Sequence, residues 1–165
     1  MSIIPVLGID PTFTCPHDGG FFNPTSDSFK VGQLGAVIGQ PTKLYKFVQN
    51  FNSAVTAEAG DVTYYAGPDG YKSNQVTTDI SQNGGKTGVG AGVVQTTISA
   101  YHFGWIQIRG PATLSTALVA GADGDPLTSE GANDKTLDVV ASFTDNICAI
   151  AGDISDKEII CMFPY

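Results

Sequence analysis

Phe103-Gly-Trp-Ile-Gln-Ile-Arg109 is the stretch that decides the fold. Side chains of a β-strand alternate between its two faces, so Ile106 and Ile108 share one side and Trp105, Gln107 and Arg109 the other. Gly110-Pro111 follows and is expected to end the strand. Outward from this point the chain repeats one pattern: short apolar runs rich in Val, Ile, Thr, Phe and Tyr, set between small-residue turns. Residues 44–51 and 61–65 read as strands separated by a turn at 56–60, and residues 71–79 as a further strand after the turn Gly67-Pro-Asp-Gly70. Gln82-Asn-Gly-Gly85 is another turn. Gly88-Val-Gly-Ala-Gly-Val-Val94 sets glycine against apolar residues, which suits a crowded barrel wall or a close approach of two backbones. No long window rich in Ala, Leu, Glu and Lys interrupts the series. The expected fold is all-β, a compact β-barrel or β-sandwich of roughly 8–10 short strands.

The second half echoes the first. Ala59-Gly-Asp-Val62 has a counterpart in Asp123-Gly-Asp-Pro-Leu127, and residues 72–78 in residues 135–140. Residues 88–94 are matched by 147–152, and the Trp105 strand by Glu158-Ile-Ile-Cys-Met-Phe163. The spacing between counterparts shortens along the series, as shorter loops in a second copy would make it. An internal duplication within a domain spanning residues 41–165 is the expectation.

Residues 1–40 differ from the rest. Pro5, Pro11, Pro16 and Pro24, with Pro41 at the edge, break ladders and helices alike. Yet Ile3, Ile4, Val6, Phe13, Phe21, Phe22 and Phe29 make the segment too apolar for a linker. An extended, apolar arm lies on something: its own domain, a neighbouring copy or a different protein. These seven side chains are the candidate partner contacts. The preferred reading of the Trp105 strand is that Trp105 fills the core while Gln107 and Arg109 face solvent; the alternative makes Trp105 and Arg109 surface anchors, since both residue types recur at interface hot spots.

The chain carries 16 acids and 8 bases, a net charge of −8, and residues 110–165 hold nine of the acids and only two of the bases. A field of that sign repels phosphate backbones and disfavours nucleic acid as a partner. The first ten residues have no basic region and Pro5 interrupts their apolar run, so neither a signal peptide nor a membrane span is expected. Cys15, Cys148 and Cys161 are too few for a disulfide framework, and the last two sit in apolar runs as small buried hydrophobes. A reducing cytoplasm is the expected place of synthesis.

Motifs that carry chemistry are incomplete. His17 stands in Cys15-Pro-His-Asp18, but a zinc site needs four ligands and no second cluster supplies the remainder. His102 reads as a turn residue entering the Trp105 strand. Gly84-Gly-Lys-Thr87 ends like a phosphate loop, yet Ile80 occupies the place of its first glycine. Residues 88–92 fail the dinucleotide fingerprint at Val93. Asp123-Gly-Asp125 with Glu130, Asp134 and Asp138 reads as a solvated acidic loop, with an irregular calcium site as the alternative, because Leu127 stands where the regular calcium loop needs an oxygen. No pair of carboxylates is marked out for glycoside hydrolysis. No catalytic residue, metal site or cofactor is assigned. The chain reads as a non-enzyme that binds another protein surface.

Several blocks, in order along residues 30–165, resemble small virion proteins of tailed bacteriophages. They are Leu44-Tyr-Lys-Phe-Val, Ala59-Gly-Asp-Val, Val76-Thr-Thr-Asp79, Gly88-Val-Gly-Ala-Gly, Gly104-Trp-Ile-Gln-Ile-Arg-Gly110 and Gly124-Asp-Pro-Leu-Thr128. The family resembled is that of capsid decoration, or cement, proteins. That resemblance implies an all-β homo-oligomer, often a trimer, with no cofactor and with the major capsid protein as partner. It places the protein on the exterior of the virion capsid after synthesis in the bacterial host cytoplasm. Two rivals stand beside it: another virion component such as a tail or fibre-base protein, and a carbohydrate-binding β module.

Overall fold

The computed structural model describes residues 7–16, 29–40, 42–51, 55–67, 70–82 and 89–164. Among them run twelve strands: β1 (Leu7–Gly8), β2 (Thr14–Cys15), β3 (Leu34–Ala36), β4 (Leu44–Asn50), β5 (Val62–Tyr65), β6 (Gln75–Thr77), β7 (Gly90–Val94), β8 (Phe103–Thr113), β9 (Pro126–Thr128), β10 (Asp138–Val139), β11 (Ile147–Ala151) and β12 (Glu158–Met162). The fold is all-β. Strands β4, β6, β5, β7 and β8 close into a barrel. Closure depends on β4, which pairs β6 in parallel at Gln49 and Asn50 and β8 in antiparallel fashion from Leu44 to Gln49.

Beyond the barrel, β8 continues as one edge of a second, open sheet, β12-β11-β9-β10. The strand expected to stop at Gly110-Pro111 therefore runs on to Thr113. Gly110 adopts a φ of 85°, and a Cβ there would strike the Thr42 carbonyl, so glycine turns the strand without ending it. Pro111 sits opposite Ile160 within the pairing. A second expectation is also corrected. Residues 71–79 are not one strand: Gly70–Ser73 forms a single helical turn, α1, closed by Asn74 in the left-handed region, and only Gln75–Thr77 pairs.

The repeat legible in the sequence is present in the topology. β5 pairs β6 and β7, and β7 pairs β8; β9 pairs β10 and β11, and β11 pairs β12, every contact antiparallel. Aligning the registers matches Val62 with Pro126, Thr77 with Asp138, Val93 with Ile150 and Gln107 with Ile160. Each half even carries a β-bulge at the same place, with Ala91 the extra residue in one and Cys148 in the other. The glycines of β7 reflect crowding on both sides. A Cβ on Gly92 would lie 2.8 Å from the Gln107 carbonyl oxygen, and one on Gly90 would meet the Phe163 ring at 2.9 Å.

Two cores result. The larger joins the barrel to the second sheet through Val48, Tyr64, Val93, Ile106, Ile108, Leu127, Leu137, Ile159 and Phe163. The smaller lies on the outer face of β4 and β8, where Tyr45, Phe47, Phe103 and Trp105 are buried beneath Ile9, Cys15, Phe29, Val31 and Val37. The described part of the N-terminal arm therefore lies on its own barrel. It is held there by pairing of β2 with β8, of β3 with β4, and of β1 in parallel with β3.

Candidate protein-binding face

β12 is apolar on both sides, yet only one side is covered. Ile159 and Cys161 are buried in the larger core, whereas Ile160 and Met162 are 48% and 42% exposed. Directly opposed residues of an antiparallel sheet share a face, so the register places Pro111, Ile160, Ile150 and Pro126 in one row across four strands. Met162 and Ile147, the latter 52% exposed, extend this row towards one end. There Val89, Gly90, Asn146, Ile147, Cys148, Met162 and Pro164 line an open pocket of about 220 Å³. Phe143, fully exposed, stands on the loop that links β10 to β11.

Around this face acidic groups outnumber basic ones, with Arg109, paired opposite Met162, as the cation on the face itself. Asp123, Asp125, Asp145, Asp153, Asp156 and Glu158 lie on the loops and strand ends of the second sheet. Most of these loop carboxylates also cap backbone amides: Asp125 accepts from the Ala122 N–H at 2.8 Å, Asp123 from Ile154 at 3.0 Å, and Asp145 from Ser142 at 2.8 Å. Their oxygens stabilise turns, and among the described residues no three metal-binding side chains converge. Both lysines of this half have partners. Lys135 Nζ lies 3.0 Å from the buried Asp61 carboxylate, and Lys157 Nζ donates to the Ser115 carbonyl at 3.0 Å.

Asp61 is a joint between the halves. Besides Lys135 it accepts from Ser115 Oγ at 2.6 Å and from the Glu58 N–H at 3.0 Å, so its buried charge is fully engaged. Lys46 is the other buried charge. Its ammonium donates to the Tyr65 hydroxyl at 2.9 Å and lies over the Tyr65 and Tyr71 rings, and burial lowers it to about 8. Burial pushes the Cys148 and Cys161 thiols up to about 12, which leaves both inert as nucleophiles near neutrality.

The residues expected at a partner surface fare differently. Trp105 is fully buried, as the preferred reading has it, and the surface-anchor alternative is corrected: the arm covers it, with Phe29 packed edge-on at 5.2 Å. Arg109 is half-buried between Leu44 and Met162, where β8 passes from barrel to sheet. Phe29 also packs on Phe47, and Phe13, 38% exposed, rests on Phe29 at 5.3 Å, so both face their own domain. Ile3, Ile4, Val6, Phe21 and Phe22 lie outside the described residues, as does His17. The row on the second sheet was not foreseen. Its signal is Glu158-Ile-Ile-Cys-Met162, a strand with apolar residues in both registers and only one core to fill. Comparison with protein-family models, with curated proteins and with solved structures gives no match.

Proposed function

We propose that this chain is a virion structural protein: a capsid decoration protein that binds the outer surface of the major capsid shell and stabilises it as a homo-oligomer. The observation that supports binding to another protein is the apolar row Pro111–Ile160–Ile150–Pro126, exposed or half-exposed and continued by the exposed Met162 and Ile147. Contiguous exposed apolar rows of this kind mark interaction surfaces. The sequence resemblance supplies the shell as the setting. A clamp across a subunit junction adds its interface energy to the work of separating the shell, and an interface of roughly 1,600 Å² is ample when its anchors are buried. Copy number in purified particles tests this reading. Many copies per particle, stripped without opening the capsid, are the expected result. A few copies located at the tail would move the chain to another virion component, and none would overturn the proposal.

One observation favours a second reading, a carbohydrate-binding β module. Phe51 and Tyr101 are both about half exposed, with ring centroids 6.4 Å apart, beside the Gln49–Gln75 side-chain pair at one end of the barrel. Exposed rings next to amides suit a sugar. Glycan binding lost in Tyr101→Ala would establish it.

A further inference from the structure

The open sheet also says what its partner looks like, an inference that rests on the protein-binding reading above. Four strands at about 4.8 Å and five residues at about 3.3 Å give the face a projected area of roughly 300 Å². That is enough for the apolar centre of an interface and too little for a whole one, which needs about 800 Å² on each side. The rest of the contact must come from the surrounding loops, and these carry Asp123, Asp125, Asp145, Asp153 and Asp156, with Glu158 on the face itself. Lys135 is paired with Asp61, and Arg109 and Lys157 together leave these six carboxylates in excess.

We infer that this face takes a protein surface with a protruding apolar side chain at its centre and lysines or arginines at its rim. The apolar side chain fits the open pocket beside Ile147 and Met162, whose volume of about 220 Å³ suits one Leu, Met or Phe. The basic rim answers the acidic loops, and this complementarity governs both encounter and choice of partner. A second copy of the same face is the wrong occupant, because pairing it with itself would set these carboxylates against each other.

Three cyclised hairpin peptides with one Leu-Phe-Leu centre, flanked by lysines, serines or glutamates, test the inference on the full chain. The lysine peptide should bind at least about tenfold tighter than the other two, a gap that closes at high salt. Methyl resonances of Ile147, Ile150, Ile160 and Met162 should shift on binding. Ile160→Asp should abolish those shifts while Trp105 fluorescence stays unchanged, which shows that the variant is folded. Equal binding of the three peptides overturns the inference, as do shifts confined to other methyls. Shifts of the same methyls on raising protein concentration alone would overturn it in favour of a second copy. The two readings fail separately. If Ile160→Asp still decorates particles, the capsid role stands and this face is not its contact. If the lysine peptide binds here but particles lack the chain, the face stands and the capsid role falls.

Discussion

Strands β5–β8 and β9–β12 are built on one pairing scheme, with a bulge at the same position in each, yet the first set belongs to a closed barrel and the second remains an open sheet. The difference comes from outside the repeat. β4 bridges β6 to β8 and completes the first half, whereas β10, the counterpart of β6, is a free edge of the sheet. The outward faces diverge in the same way. On β8 the outward residues Trp105 and Gln107 are buried, the first under the N-terminal arm. Their counterparts on β12, Glu158 and Ile160, are exposed. Equivalent strands thus acquire different roles from what lies over them: one face is made structural by the arm, and the other is left for a partner.

The largest test of that contrast exchanges nothing but cover. Trp105→Ala should lower stability by about 3–5 kcal/mol, the usual cost of emptying a large aromatic site, because Phe29, Phe47 and the arm lose the ring they pack on. Glu158→Ala, at the matching position of β12, should change stability by no more than about 0.5 kcal/mol. Urea unfolding of both variants checks the pair. Similar losses in the two would mean that the β12 face is covered in solution.

The next position along each strand sharpens the comparison. Gln107 is buried, and the two N–H groups of its Nε2 are shared among the carbonyls of Arg109, Gly110 and Pro111 at 3.0, 3.1 and 2.8 Å, which holds β8 where it bends out of the barrel. Gln107→Ile should cost about 1–3 kcal/mol by leaving those carbonyls without their donor. Ile160→Gln should be nearly silent in stability and harmful only to binding. A destabilised Ile160→Gln would place Ile160 in the core.

Much of this was legible from the chain. Alternation gave the two faces of the Trp105 strand, and the echoes between the halves correspond to paired strands in the same order. What the chain hid depended on tertiary context. Trp105 is legible as a core residue, but what buries it, the arm folding back over β4 and β8, is not. Tyr71 follows a turn and precedes β-forming residues, yet it lies in a helical turn with its ring edge-on to Tyr65 at 5.0 Å. Pro111 reads as a stop signal, and pairing with β12 carries the strand through it. The exposure of Ile160 and Met162 is not legible either, because nothing in a sequence says which of two apolar registers remains uncovered.

Lys46 offers a smaller effect confined to the closed half. Burial lowers its ammonium to about 8, so the folded protein gives up this proton well before the unfolded chain does at its ordinary value of 10.5. Between those values the unfolded state binds more protons, and this group's contribution to stability rises with pH, by at most about 1.4 kcal/mol per pH unit. The buried thiols and the raised Tyr64 and Tyr65 hydroxyls act in the opposite sense at higher pH, since the folded state keeps protons that the unfolded state loses. The test is therefore a difference: Lys46→Met should lose ground against the parent as pH rises through about 8 towards 10. A gap that stays constant would mean that the ammonium is solvated.

The last prediction involves no substitution and asks whether the two halves melt as one. Cys148 is the bulge residue of the open sheet and Cys161 lies beside it on β12, both buried, while Cys15 is half-buried on β2. A thiol reagent needs an exposed thiolate, so Cys15 should label without denaturant and the other two only when their surroundings open. The open sheet shares the larger core with the barrel and is tied to it by Asp61, Lys135 and Ser115. Opening should therefore be global. The labelling rates of Cys148 and Cys161 should rise with urea along the slope of complete unfolding, as the most protected amides do. A much shallower slope would show the second sheet detaching while the barrel stays folded. It would then be a docking layer loosely joined to its support, and the common pairing scheme would describe two separable units instead of one cooperative fold.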